Sequence, residues 1–449
     1  MKRAQLSVLF GFMASLVAGV AVAQHEGHHP AATPTPAPST PPPPSGVSPM
    51  PGTTPPPANP DPMTMMEEME PMDHWMTMFH GYAFLTANRQ GGPSGDREFE
   101  SQNHLMVMAL KSSWGGKLSL LGTFTLEPAT VPPEGSAELF QRGETYHGVL
   151  LVDRQHPHDL FVQLAAAWER ALSPGVKLRL YLAPVGEPAL GPVAYPHRLS
   201  ASEDPTAPLS HHNLDSTHIS ADVITAGLTA SIFTVEGSAF HGQEPDENRW
   251  DIEQGKLDSY SGRITLRPAE GFSFQLSSGY RKHPEALEPG NQTRTTASLS
   301  YQRGDASSFF AATVASGLNQ TDDGREWGHL LEWTWKFSSK NFLYGRIEKV
   351  DREIYELVHK KQRPEGVPRD RVSVEAATLG FARNLPVPAR AEIAAGADVT
   401  LYRFPSRLDS VYGSGPLSVH GFVRFRFGTD HEAHGRHAGA AGHASPAPI

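Results

Sequence analysis

The chain has 449 residues, no cysteine and a formal net charge of −10. The missing thiols exclude a disulfide framework and any thiolate metal site, and the negative balance argues against a nucleic-acid partner. Mean hydropathy is −0.37 with 39% hydrophobic residues; that suits a soluble protein, but equally a membrane barrel in which half of every strand faces water.

In chain order, residues 1–23 read as a secretory signal peptide. Lys2 and Arg3 form the charged start, Leu6 to Val20 the apolar stretch, and Ala21-Val22-Ala23 the small-residue cleavage site. No later segment approaches eighteen consecutive apolar residues, so any further membrane span must be made of strands. Residues 24–62 are dominated by proline and read as an extended tether that builds no core. Residues 63–74 begin a methionine- and histidine-rich segment. Met63, Met65, Met66, Met69, Met72, Met76 and Met78 hold seven of the chain's 12 methionines, with His74 and His80 among them. Thioether and imidazole are soft ligands suited to Cu(I), which makes Met66, Met69, Met72, His74, Met76 and His80 candidate metal ligands. The competing reading is an amphipathic helix with an apolar methionine stripe. The run resembles the methionine-rich segments of periplasmic copper-handling proteins.

From residue 75 to 428 the pattern predicts one all-β domain, a transmembrane antiparallel up-and-down barrel of about sixteen strands. The expected strands are 76–89, 101–113, 117–127, 160–171, 175–183, 215–225, 228–240, 258–267, 272–281, 293–302, 307–317, 326–337, 341–351, 371–383, 390–403 and 416–427. Tight turns such as Trp114-Gly115-Gly116 and Ser173-Pro174-Gly175 alternate with long loops at 128–159, 184–214, 241–257 and 352–370. Period-two facing puts Trp327, Leu331, Trp333 and Trp335 on one side of a strand, and Glu332, Thr334 and Lys336 on the other. A charge facing lipid at mid-depth costs about 2–4 kcal/mol, so the charged rows must face a wet lumen. The expected pore-lining residues are Lys177, Arg179, Arg263, Arg267, Arg281, Arg346, Arg424, Arg426, Glu332, Glu348 and Asp398. The loop at 184–214 is long enough to fold inward as a constriction.

Four loop motifs are dense in chemistry: Asp153 to Asp159, Pro196-His197-Arg198, Ser210 to His218, and His241 to Asp251. Histidine with carboxylate is a ligand set for Zn(II), Cu(II) or Ni(II). His156, His158, His211, His212, His218 and His241 are therefore expected to converge over the loop end of the barrel with Asp159, Asp215, Glu244 and Asp246. The competing reading is a structural mesh in which Arg154, Arg198 and Arg249 pair the carboxylates. Residues 429–449 form a tail with His431, His434, His437 and His443, a composition that binds divalent metals weakly.

The last expected strand, LSVHGFVRFRF at 417–427, alternates apolar residues with His420, Arg424 and Arg426. It resembles the C-terminal signal strand of Gram-negative outer-membrane β-barrels, although residues follow its final aromatic Phe427. The resemblance implies insertion by the barrel-assembly machinery and contact with outer-membrane lipid, and the even strand count puts both chain ends in the periplasm. The resulting expectation is a porin-like channel for small solutes or metal ions. It requires no cofactor, but copper or another transition-metal ion is a candidate ligand. A barrel enzyme acting on lipid through His218 and Ser220, or a structural barrel without a pore, are the alternatives.

Overall fold

The computed structural model describes residues 73–287, 290–386 and 391–428. The expectations for the signal peptide, the tether, the segment up to Met72 and the His-rich tail lie outside these residues.

The strands are β1 (Met76–Arg89), β2 (Arg97–Ser113), β3 (Gly116–Phe124), β4 (Ser136–Tyr146), β5 (Val149–Gln155) and β6 (Phe161–Ser173). They continue as β7 (Val176–Gly186), β8 (Ser220–Ala230), β9 (Phe233–Phe240), β10 (Ser259–Leu266), β11 (Phe272–Arg281) and β12 (Gln292–Asp305). The last six are β13 (Ser308–Thr321), β14 (Gly324–Lys336), β15 (Asn341–Glu353), β16 (Arg371–Asn384), β17 (Glu392–Arg403) and β18 (Leu417–Gly428). All but β4 and β5 pair antiparallel in one closed barrel, in which β3 joins β6 and β18 closes on β1. The barrel therefore has sixteen strands, and closure leaves no unpaired edge.

The alternation read along the strands is the alternation of the wall. Phe79, Leu105, Leu180, Ile224, Leu276, Val314, Leu379 and Phe425 are exposed on the outside, while Glu332, Arg346, Asp398, His420 and Arg424 are buried on the inside. Exposed aromatics sit near both rims, with Trp114 and Phe272 at one end and Phe99, Tyr260 and Trp327 at the other. An apolar outer band flanked by aromatic residues is what a lipid-facing barrel requires.

Three sequence expectations need correction. The segment 128–159 is not a plain loop but carries the β4–β5 hairpin, a separate two-stranded sheet. Strand β8 starts at Ser220 rather than 215, because residues 211–219 form short helical turns, and its turn to β9 is at Ser231-Ile232. Long and short connections do not alternate strictly, since β13 and β14 meet at the loop end through Asp322-Asp323 alone.

The lumen is not an open tube. The connection from β7 to β8 folds into it and is tied to the wall by the charges expected to line a pore. Glu332 Oε1 accepts from Arg198 Nε at 2.6 Å and from Ser200 Oγ at 2.7 Å. Glu348 accepts from both the backbone N–H and the hydroxyl of Ser210. Arg346 donates to the carbonyls of Thr206 and Ala207 and pairs with Asp204, and Arg424 and Arg426 pair with Glu203. Burying such groups is tolerable only when each finds partners.

Candidate functional site

The inward segment ends in a helical turn, His211–Leu214, followed by a 3-10 turn, Ser216–Ile219. The first turn lies directly on β13 and β14 because Gly317 and Gly328 leave room for it. A Cβ on Gly317 would collide with the Asn213 carbonyl, and one on Gly328 would stand 2.7 Å from the Asn213 Cβ. Arg294 Nη2 and Asn319 Nδ2 both donate to the His212 carbonyl, at 2.6 and 2.8 Å, and fix its end. From the other side, β5 runs out at Gln155 and delivers His156-Pro157-His158-Asp159 to the same place.

His158, His211 and His218 come together here, all three buried. One ring nitrogen from each lies within 4.8 Å of the others. Each Nδ1 already has its own acceptor. That of His158 is 2.8 Å from Glu127 Oε2, which also accepts the His158 backbone N–H. That of His211 is 2.7 Å from Asp215 Oδ1, and that of His218 is 2.9 Å from the Asp215 carbonyl. The Nε2 atoms of His158 and His218 are buried without a hydrogen-bond partner. Histidines that ligate metals characteristically donate their second ring nitrogen to a carboxylate or a carbonyl, which fixes the tautomer and leaves the other lone pair for the ion. Ligand atoms of a tetrahedral centre with bonds of 2.0–2.1 Å stand roughly 3.3 Å apart, a closure small enough for side-chain rotation.

Burial favours the neutral form of two of the three imidazoles. Burial holds His211 below its usual range despite the Asp215 carboxylate, and His218 well below it, helped by its neighbours His158 and His211. Burial also pulls on His158, but the charge and hydrogen bond of Glu127 outweigh it and raise this imidazole. Asp215 stays ionised against its burial because the Arg198 guanidinium and His211 hold its pKa below the usual carboxylate range. Tyr195 closes one side of the cluster, with its ring 5.2 Å from His211.

The other expected ligands are placed differently. The His156 ring meets those of His158 and His212 edge-on, but its Nε2 stands 3.2 Å from Glu144 Oε1. His212 is buried with neither ring nitrogen bonded and belongs to a second group with Glu244 and Glu285. His241 does not join either group: its Nδ1 faces the Lys256 carbonyl and Asp258. Asp159 and Glu144 are bridged by Arg249, the mesh arrangement, and burial pushes Asp159 up to about 7. Asp246 groups with Asp251 and Glu253 at the exposed rim. His74 is exposed ahead of β1, whereas Met76 and His80 stand on it. The pair His218 and Ser220 makes no mutual bond, since Ser220 Oγ donates to the Thr217 carbonyl. Glu127, the carboxylate that orients His158, was not singled out in the sequence, because only the fold brings it near.

Two cavities reach toward the centre. One, of about 70 Å³, is lined by His80, His104, Glu127, His158, His197 and His218 among others. The second, of about 670 Å³, occupies the tight-turn half of the lumen, where Lys177, Arg179, Arg263 and Arg267 line it. Arg281, Arg346, Arg424, Glu332, Glu348 and Asp398 also face inward but are buried, and Arg426 beside them is half-buried. Arg281 pairs with Glu244, and Asp398 accepts from Tyr344 and faces His420.

No protein-family model and no curated protein sequence matches the chain. Among solved structures it is similar to the anion-selective porin of Comamonas acidovorans, with 10% identity and a TM-score of 0.47 over 79% of this chain and 100% of that one. It is also similar to OprB of Pseudomonas putida, with 9% identity and a TM-score of 0.47 over 79% and 94%. For OmpF of Salmonella typhi the identity is 8% and the TM-score 0.44, over 78% and 97%. The closed ring of sixteen antiparallel strands, with its apolar outside and charged inside, makes this chain a transmembrane β-barrel of porin-like architecture.

Proposed function

We propose that the protein is an outer-membrane barrel that takes a transition-metal ion into its lumen and binds it at His158, His211 and His218. In this reading the tight-turn end and both termini face the periplasm, and the long loops face outward, as in other barrels with short turns at one end. The observation that carries it is the convergence of three buried imidazoles, one ring nitrogen of each within 4.8 Å of the others, with every Nδ1 engaged and the Nε2 atoms of His158 and His218 buried without a partner. Three histidines with an open fourth position suit Zn(II), Co(II), Ni(II) or Cu(II). A channel for small solutes alone needs only the charged cavity and leaves the unpartnered Nε2 atoms of His158 and His218 without a purpose.

The test is Co(II) binding to the full-length barrel refolded in detergent, followed by the visible absorbance of the bound ion. One tight equivalent is expected, lost in His158→Ala, His211→Ala and His218→Ala while the heat-modifiable gel mobility of a folded barrel persists. Equal tight binding in the wild type and all three variants would refute the assignment and leave only weak binding by the terminal histidines.

A further inference from the structure

The loop end of the barrel is filled with packed protein. Residues 136–144 of β4 are all buried, with Phe140 fully so among Tyr402, Phe404 and Tyr412. Arg249 then ties Glu144 of this hairpin to Asp159, one residue beyond His158. On the opposite side the large cavity reaches the tight turn Ser173-Pro174-Gly175, so it is open toward that end. His197 lines both this cavity and the small one that contains His158 and His218.

We propose that His197 and His104 form the route by which the cation passes between the tight-turn half of the lumen and the histidine centre. The proposal rests on the metal-binding reading above. The two rings are 4.9 Å apart, His104 stacks on Tyr82 at 5.5 Å, and His104 Nε2 is buried without a partner. Burial brings His197 down to about 4, so near neutral pH it offers a lone pair rather than a second positive charge. His80 extends the row further toward the turn end, where it stands opposite Met106, next to the opposed pair Met78 and Met108. These side chains all face inward. A cation leaving water for a narrow protein cavity needs replacement donors along its path, and neutral imidazoles at successive steps supply them.

The experiment follows the rate at which Co(II) loads the centre of the full-length barrel in detergent, mixed rapidly with a small excess of the ion. His104→Phe with His197→Phe keeps the aromatic volume and removes the donors. The double variant is expected to load about tenfold or more slowly, equivalent to a modestly higher barrier, and to reach the wild-type stoichiometry and spectrum. His241→Phe, at the loop end, is expected to load at the wild-type rate. An unchanged rate in the double variant would overturn the route while leaving the centre intact. Loss of the final signal in a double variant that still resists SDS would also overturn it, by making these residues part of the centre. Absence of any Co(II) signal in the wild type would instead remove the centre and the route together.

Discussion

Each histidine of the centre depends on an acceptor that the local sequence does not advertise equally well. Asp215 lies four residues from His211 and three from His218, so its role is legible in the motif His211 to His218. Glu127 is 31 residues from His158, and only the fold brings them together. His104 is a single histidine on a strand, and nothing in its neighbours marks it. Replacing Glu127 by Gln keeps an acceptor but removes the charge that polarises His158. Metal affinity is expected to fall by about 10–100-fold, the usual cost of losing such an orienting group, as read by competition with a chelator of known strength. Unchanged affinity would mean that Glu127 only packs. Protons should compete with the same site. His156, His211, His212 and His218 are all held below 6.5, chiefly by burial. The folded state keeps them neutral while the unfolded state protonates near 6.5, so their contribution is present above that pH and is lost as pH falls toward their folded values. His158 is raised and acts in the opposite sense, with its contribution present below 6.5 and lost as pH rises through its folded value. Asp159, pushed up to about 7, and Glu138 and Glu144, also raised by burial, act in the same sense as His158, contributing in acid and losing that contribution as pH rises through their folded values. The two sets oppose one another, so Asp159→Asn, which removes one group that favours acid, should make protease cleavage within residues 136–219 rise more steeply from pH 7.5 to pH 5 than in the wild type; the same pH dependence in both would contradict the balance.

At the scale of elements, the wall strands were legible because lipid and lumen impose opposite demands on alternate residues. The β4–β5 hairpin was not, for the same reason inverted. It lies inside other protein, with nine consecutive buried residues in β4, so neither face is exposed and no alternation survives. Its pairing register also shifts twice, and Phe140, Glu144 and Asp153 adopt left-handed backbone that breaks the strand pattern. The inward course of the β7–β8 connection was foreseen only as something its length allowed. What fixes it is a set of long-range pairs, such as Ser210 with Glu348, that no local reading contains. The close seat of the His211–Leu214 turn on the wall can be tested through Gly317. A valine there must displace the Asn213 carbonyl, and a backbone clash cannot be relieved by a rotamer change. Gly317→Val is expected to give a folded, SDS-resistant barrel with weakened Co(II) binding and faster proteolysis between residues 199 and 214. Wild-type affinity in that variant would mean the turn can shift without disturbing the centre.

At the scale of the whole molecule, the barrel and its filling are stabilised by different means. The wall is closed by a continuous ladder of strand pairs and by an apolar exterior in lipid, and neither depends on the inward segment. The filling is attached by ion pairs and hydrogen bonds to wall residues. Replacing residues 199–209 with a short Gly/Ser link should therefore empty much of the lumen without opening the barrel. It removes Glu203 and Asp204, the carboxylates paired with Arg424, Arg426 and Arg346. Two negative charges leave while three arginines stay, and Glu332 and Glu392 offset only part of them. The field across the opened lumen becomes more positive. In planar bilayers the wild type is expected to show small and infrequent conductance steps, and the shortened chain large steady ones that favour chloride over potassium. Heat-modifiable gel mobility should persist in both, establishing that each is a closed barrel. If the shortened barrel conducts no better than the wild type, another element, with the β4–β5 hairpin first among them, closes the lumen on its own. Large steps with cation preference would instead mean that the remaining glutamates, rather than the released arginines, control the field.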